Sequence, residues 1–246
     1  MKKYFMSSVI MVALVGSMAP TYAVSDWDTC LMIDKIDQAF PACQREAKRG
    51  NAGAQGILGS MYFNGTGVRR DYKKAVEWFT KAAEQGNALA QSQLGYVYFK
   101  GMGVKQDYKK AVEWFKKAAE KGHEEAQLKL GFIYYQGHGV RRDYKKAFEW
   151  FTKAAELGNR DAQTQLGLLY SQGHGVRQDY TKAFEWFTKA AEQADANAQC
   201  ALGILYNEGK GVRQNRTKAK EYFGFACFNG LQLGCDYYRD MNEEKY

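Results

Sequence analysis

Three histidines and five cysteines are the residues of this chain with the most distinctive chemistry. The histidines form no recognisable centre. His138 and His174 stand in the same slot, 36 residues apart, each between two glycines, and read as exposed loop residues. Two neutral imidazoles without cysteine or carboxylate partners make a poor metal site. His123-Glu124-Glu125 lacks the second histidine that a zincin helix requires. Five Gly-x-Gly turns, Gly101-Met102-Gly103 among them, imitate part of a phosphate-binding loop, but no strand is expected before any of them. A G-x-S-x-G elbow does not occur, nor do the S-x-x-K and K-T-G elements of the penicillin-recognising serine enzymes. The sequence therefore offers no catalytic set, no metal set and no cofactor motif, and binding is the expected activity.

The turn glycines belong to a larger period. Leu-Gly pairs begin at Leu58, Leu94, Leu130, Leu166 and Leu202; tyrosines recur at Tyr62, Tyr98, Tyr134, Tyr170 and Tyr206. Trp-Phe pairs begin at Trp78, Trp114, Trp150 and Trp186, and the last copy has Tyr222-Phe223. A fixed step of 36 residues is the mark of a repeat architecture. In one unit, small or apolar residues at Ala90, Leu94, Val97 and Tyr98 have the spacing of an amphipathic helix. Gly101 and Gly103 end it, and Asp107 is a candidate N-cap for a second helix. That helix has a buried stripe of Tyr108, Ala111, Val112, Phe115, Ala118 and Ala119. Its wet face carries Lys109, Lys110, Glu113, Lys116, Lys117 and Glu120, with Glu113 placed to pair with Lys117. So small a unit cannot bury its own apolar face, so neighbours must stack, with the alanines and Gly95 permitting close approach. The five units run Ala54–Gly86, Ala90–Gly122, Ala126–Gly158, Ala162–Ala194 and Ala198–Gly230, with three-residue joints such as Asn87-Ala88-Leu89. Residues 24–53 are expected to form an N-terminal cap, its helix starting or kinking near Pro41, and residues 231–246 a capping helix and a fraying tail.

The pattern of Ala90, Leu94-Gly95, Tyr98, Gly101-x-Gly103-Val104, Asp107-Tyr108, Lys110-Ala111, Glu113-Trp114-Phe115 and Lys117-Ala118-Ala119-Glu120 resembles the Sel-one-like repeat, a relative of the tetratricopeptide repeat. The resemblance covers Ala54 to Gly230 and implies an all-α, right-handed α-solenoid whose first helices line a concave surface. One column of that surface reads Ser60, Tyr96, Phe132, Leu168, Ile204; the next reads Phe63, Phe99, Tyr135, Ser171, Asn207. Tyr96, Phe99, Phe132 and Tyr135 thus gather four aromatics in units two and three, as a binding site does if they are not spent on packing. Cys227 and Cys235 resemble the cysteine-rich branch of the family, in which such a pair clips a helix–turn–helix; Cys30 and Cys43 would clip the N-terminal cap similarly. Cys200 is left over, read as a free thiol, with a bond to a partner as the alternative. The resemblance implies a protein–protein interaction scaffold or regulator in the bacterial envelope. Its cysteine-rich branch implies weak penicillin-binding or β-lactamase activity as an alternative, and peptidoglycan or another glycan is a third candidate ligand.

Residues 1–23 read as an export signal: Lys2 and Lys3, an apolar or small stretch from Phe5 to Met18, and Thr21-Tyr22-Ala23 before the expected cleavage point. The apolar stretch is shorter than the roughly 20 residues that span a bilayer, so no stable membrane insertion is expected, and the destination is the periplasm or the exterior. Formal net charge is +8. The positive residues are expected to interleave with glutamates on the second helices, so a protein partner or cell-wall material is expected, not nucleic acid.

Overall fold

The structure, a computed structural model, describes residues 25–32 and 35–243. The expected signal, residues 1–23, lies outside them. Thirteen α-helices and no strand occur among the described residues. A short α1 (Asp26–Cys30) and α2 (Ile36–Lys48) form the N-terminal cap. Five first helices follow, α3 (Ala52–Asn64), α5 (Ala88–Lys100), α7 (Glu124–Gln136), α9 (Arg160–Gln172) and α11 (Ala196–Glu208). They alternate with five second helices, α4 (Tyr72–Glu84), α6 (Tyr108–Glu120), α8 (Tyr144–Glu156), α10 (Tyr180–Glu192) and α12 (Arg216–Phe228); α13 (Gln232–Glu243) closes the far end. Each helix packs on the next in chain order, which makes the chain an α-solenoid.

Capping sets the helix boundaries. Asp107 accepts the Lys110 backbone N–H at 3.0 Å, as expected, and Asp71, Asp143 and Asp179 do the same in their units. The joints are different from the expectation: Asn87 is itself the N-cap of α5, accepting from the Ala90 N–H at 2.9 Å, and Ala88 and Leu89 lie in the helix. Asn51, Asn159 and Asp195 cap α3, α9 and α11 in the same way, and His123 caps α7 through Nδ1. Burial lowers the His123 pKa, which favours the neutral ring that such an acceptor needs. Pro41 does not start a helix. α2 begins five residues before it and runs through it to Lys48. Lys117, expected against Glu113, lies over the Trp114 ring, its Nζ 4.1 Å from the centroid.

Within each repeat the glycine of the Leu-Gly pair lies flat against a fully buried phenylalanine. A Cβ on Gly95 would stand 2.6 Å from the Phe115 ring, and Gly59, Gly131, Gly167 and Gly203 meet Phe79, Phe151, Phe187 and Phe223 equally closely. Between repeats a buried glutamine does the joining. Gln91 Nε2 donates to the Ala83 carbonyl at 3.0 Å, and Gln55, Gln127, Gln163 and Gln199 repeat the bond to Ala47, Ala119, Ala155 and Ala191. First helices of successive repeats, α3 with α5, α5 with α7 and α9 with α11, also approach each other within 8 Å.

Candidate functional site

α5 and α7 stand side by side, and a pocket of about 190 Å³ opens between them. Its wall is Tyr96, Phe99, Phe115, Phe132 and Ile133, with Lys100, Lys129 and Gln136 at its polar edge. Three of the four aromatics named from the sequence meet here because residues three apart share a helix face and the 36-residue step places that face beside its copy. All are half-buried. Phe132 stands edge-on to the buried Phe151, with centroids 5.1 Å apart, so its inner edge is packing and its outer edge is pocket. Phe99 packs on Tyr108 at 5.2 Å and on His138 at 5.8 Å. Tyr135 does not reach the pocket; its ring leans on Tyr144 at 5.3 Å and toward His174 at 6.5 Å. At the rim, Lys100 lies over Phe99 and Lys129 pairs with Glu125 at 2.9 Å.

The histidines are not the exposed loop residues expected. His138 stacks on Tyr108 of the preceding repeat with planes 16° apart, and His174 on Tyr144 with planes 8° apart and centroids 4.5 Å apart. Each ring face is thereby used in joining repeats, while its buried Nδ1 has no partner. Among the described residues, no group of three or more His, Cys, Asp or Glu is arranged to hold a metal ion.

Both disulfides implied by the family resemblance are present. Cys30 is bonded to Cys43 and Cys227 to Cys235. Residues 227 and 235 continue the columns of Ala191 and Gln199, so the last repeat has a covalent bond where its neighbours have the glutamine hydrogen bond. Cys200 is free and buried, and burial pushes its thiol up to about 11.

One surface was missed. Phe225 and Phe228 of α12 are 54% and 89% exposed, and with Gly224 and Tyr238 they border an open, mostly apolar recess of about 820 Å³ at the end of the solenoid. The signal was in the repeat. Phe225 takes the place of Lys81, Lys117, Lys153 and Lys189, and Phe228 that of Glu84, Glu120, Glu156 and Glu192.

The Sel1 repeat model matches five times, over residues 52–87, 88–123, 124–159, 160–195 and 196–230. Each match opens within a residue or two of the N-cap of a first helix. The chain is similar to a Sel1 repeat protein from Oxalobacter formigenes at 31% identity, with a TM-score of 0.79, covering 91% of this chain and 98% of that one. It is also similar to a protective antigen present in uropathogenic Escherichia coli strains, which displays an SLR fold. The identity is 32% and the TM-score 0.81, over 90% of this chain but only 54% of the antigen's length. No curated protein matches. Among the described residues no helix is long and apolar enough to cross a membrane.

Proposed function

Because the chain belongs to the Sel1 repeat family, we propose that it is an exported protein-interaction scaffold of the bacterial envelope that receives its partner on the first helices of repeats two and three. The pocket between α5 and α7 carries this reading. It is apolar within and polar at its edge, the arrangement of an interaction hot spot, and it suits one apolar or aromatic side chain of a partner segment better than a large cofactor. Two disulfides support a periplasmic or secreted location, since such bonds persist in oxidising compartments.

The test is a crosslinking pull-down from the periplasm that compares two double variants. Tyr96→Ala with Phe132→Ala opens the pocket. Leu168→Ala with Ile204→Ala alters the same column in repeats four and five, at similar burial. The pocket variant should lose crosslinked partner by at least about tenfold, equivalent to 1.4 kcal/mol, while the other variant retains it. Equal loss of partner in the two variants, with large losses of urea midpoint in both, would show the column to be packing alone.

A further inference from the structure

Nearly half of the basic residues are gathered on one edge of the repeats instead of being interleaved with the glutamates. Sixteen of the chain's 35 lysines and arginines, but only four of its 27 acidic residues, fall in five six-residue segments: 69–74, 105–110, 141–146, 177–182 and 213–218. The remaining residues carry more acid than base. Each segment holds the end of a turn and the first residues of a second helix, so all five lie on the same edge of their repeats.

Packing makes that edge continuous. Gly103 rests on the backbone of Tyr72, and a Cβ there would meet it at 2.5 Å. Gly139, Gly175 and Gly211 rest equally closely on Tyr108, Tyr144 and Tyr180. Each turn is thus seated on the start of the second helix in the repeat before it, and the five segments form a single ridge. The cations along it are held in place. Lys74, Lys110, Lys146, Lys182 and Lys218 each lie over the tyrosine of their own first helix, with Nζ 5.3–5.5 Å from the ring centroid. The four acidic residues are the N-cap aspartates, whose carboxylates already accept backbone N–H groups. Two also take part of a lysine, Lys74 at 4.0 Å and Lys146 at 3.4 Å. The lysines cannot take over that capping, because an ammonium is a donor only and has no lone pair for a free backbone N–H.

Between successive segments the ridge is notched. One open recess of about 690 Å³ is bounded by residues 104–110 and Gly139, and its copy one repeat on, about 640 Å³, by residues 140–146 and Gly175. We propose that this ridge binds a linear anionic polysaccharide, whose sulfate, phosphate or carboxylate groups lie one after another in the notches. A row of ordered cations at one-repeat intervals matches a chain with regularly spaced anions. Recessed notches suit discrete groups on a flexible chain better than the flat face of a membrane. The disulfides indicate a compartment in which such polymers, not nucleic acids, are the common polyanions.

The inference goes beyond the proposed scaffold role and uses a different face of the molecule. The probe is a fluorescent heparin-derived oligosaccharide, from tetrasaccharide to dodecasaccharide, titrated against the full mature chain. Neutral dextran, vesicles containing phosphatidylglycerol and a single-stranded oligonucleotide are the other arms. Affinity should rise with oligosaccharide length and fall with salt. Lys110→Glu with Lys146→Glu should weaken it by at least about tenfold. Lys48→Glu with Lys116→Glu, the same change in net charge on exposed residues away from the ridge, should change it less than about twofold. Circular dichroism and the urea midpoint confirm that both variants fold. Equal weakening by the two variants would overturn the proposal in favour of net charge alone. So would binding to the vesicles or the oligonucleotide with no binding to the oligosaccharide, or no oligosaccharide binding at low salt. Tyr96→Ala with Phe132→Ala should leave oligosaccharide binding unchanged, so the ridge and the pocket fail or stand separately.

Discussion

Repeats two and three and repeats four and five share the same glycine–phenylalanine and glutamine frame and differ most on the surfaces of their helices. The Gly95–Phe115 contact of repeat two is reproduced by Gly203 and Phe223 in repeat five, and the buried glutamine bond appears at each of the four junctions between repeats. On the first helices, however, Tyr96, Phe99 and Phe132 wall a pocket, while Leu168, Ser171 and Ile204 stand in the same columns two repeats on. On the second helices the difference is reversed. Lys117 covers Trp114 in repeat two, whereas Phe225 lies exposed beside Tyr222 in repeat five. The glycine and phenylalanine of that frame cannot vary without opening a cavity or forcing a clash. A departure from the period at a surface position meets no such penalty, so these departures are where binding can be specified.

The comparison can be tested most strongly in the core. Phe115→Ala and Phe187→Ala should each cost about 3–5 kcal/mol, measured by urea denaturation, because both rings are fully buried under a glycine. Similar losses would show the frame to be equivalent in the two halves; a loss confined to one would break the equivalence. The next largest effect is at the last repeat. Replacing Cys227 and Cys235 by serine opens an eight-residue loop and should cost about 2.5 kcal/mol in the chain-entropy model. Amide exchange should then rise in α11, α12 and α13 while α5 to α8 keep their protection, since each repeat leans only on its neighbours. Exchange rising evenly along the chain would mean that the far end is not a separate unit of stability. The smallest effect is expected at Cys200. Its slot holds Ser92 in repeat two and Thr164 in repeat four, both buried, so Cys200→Ser should cost no more than about 1 kcal/mol. With its pKa raised to about 11, the thiol should react with iodoacetamide at pH 8 only when denaturant is added. Rapid labelling of the folded protein would show the end of the solenoid to be looser than its middle.

The five repeated units, the Asp107 cap and the alignment of Tyr96, Phe99 and Phe132 were legible from the 36-residue step. Asn87 was not recognised as a cap, because an asparagine between two helices reads equally well as a turn residue. Phe225 and Phe228 could have been found by reading the last unit against the other four.

The amino-acid order by itself determined the five helical pairs, the faces they bury and the cysteines available at each end. These follow from periodicity, caps and turn glycines, which act within a few residues of one another. Tertiary structure alone decided that Tyr135 turns toward Tyr144 and His174 while Phe132 is shared between packing and pocket. It alone also seated each turn on the preceding helix and joined the scattered basic segments into one ridge. Both outcomes depend on how far each repeat is rotated against the next, and that rotation is set by the summed packing of side chains across the junction.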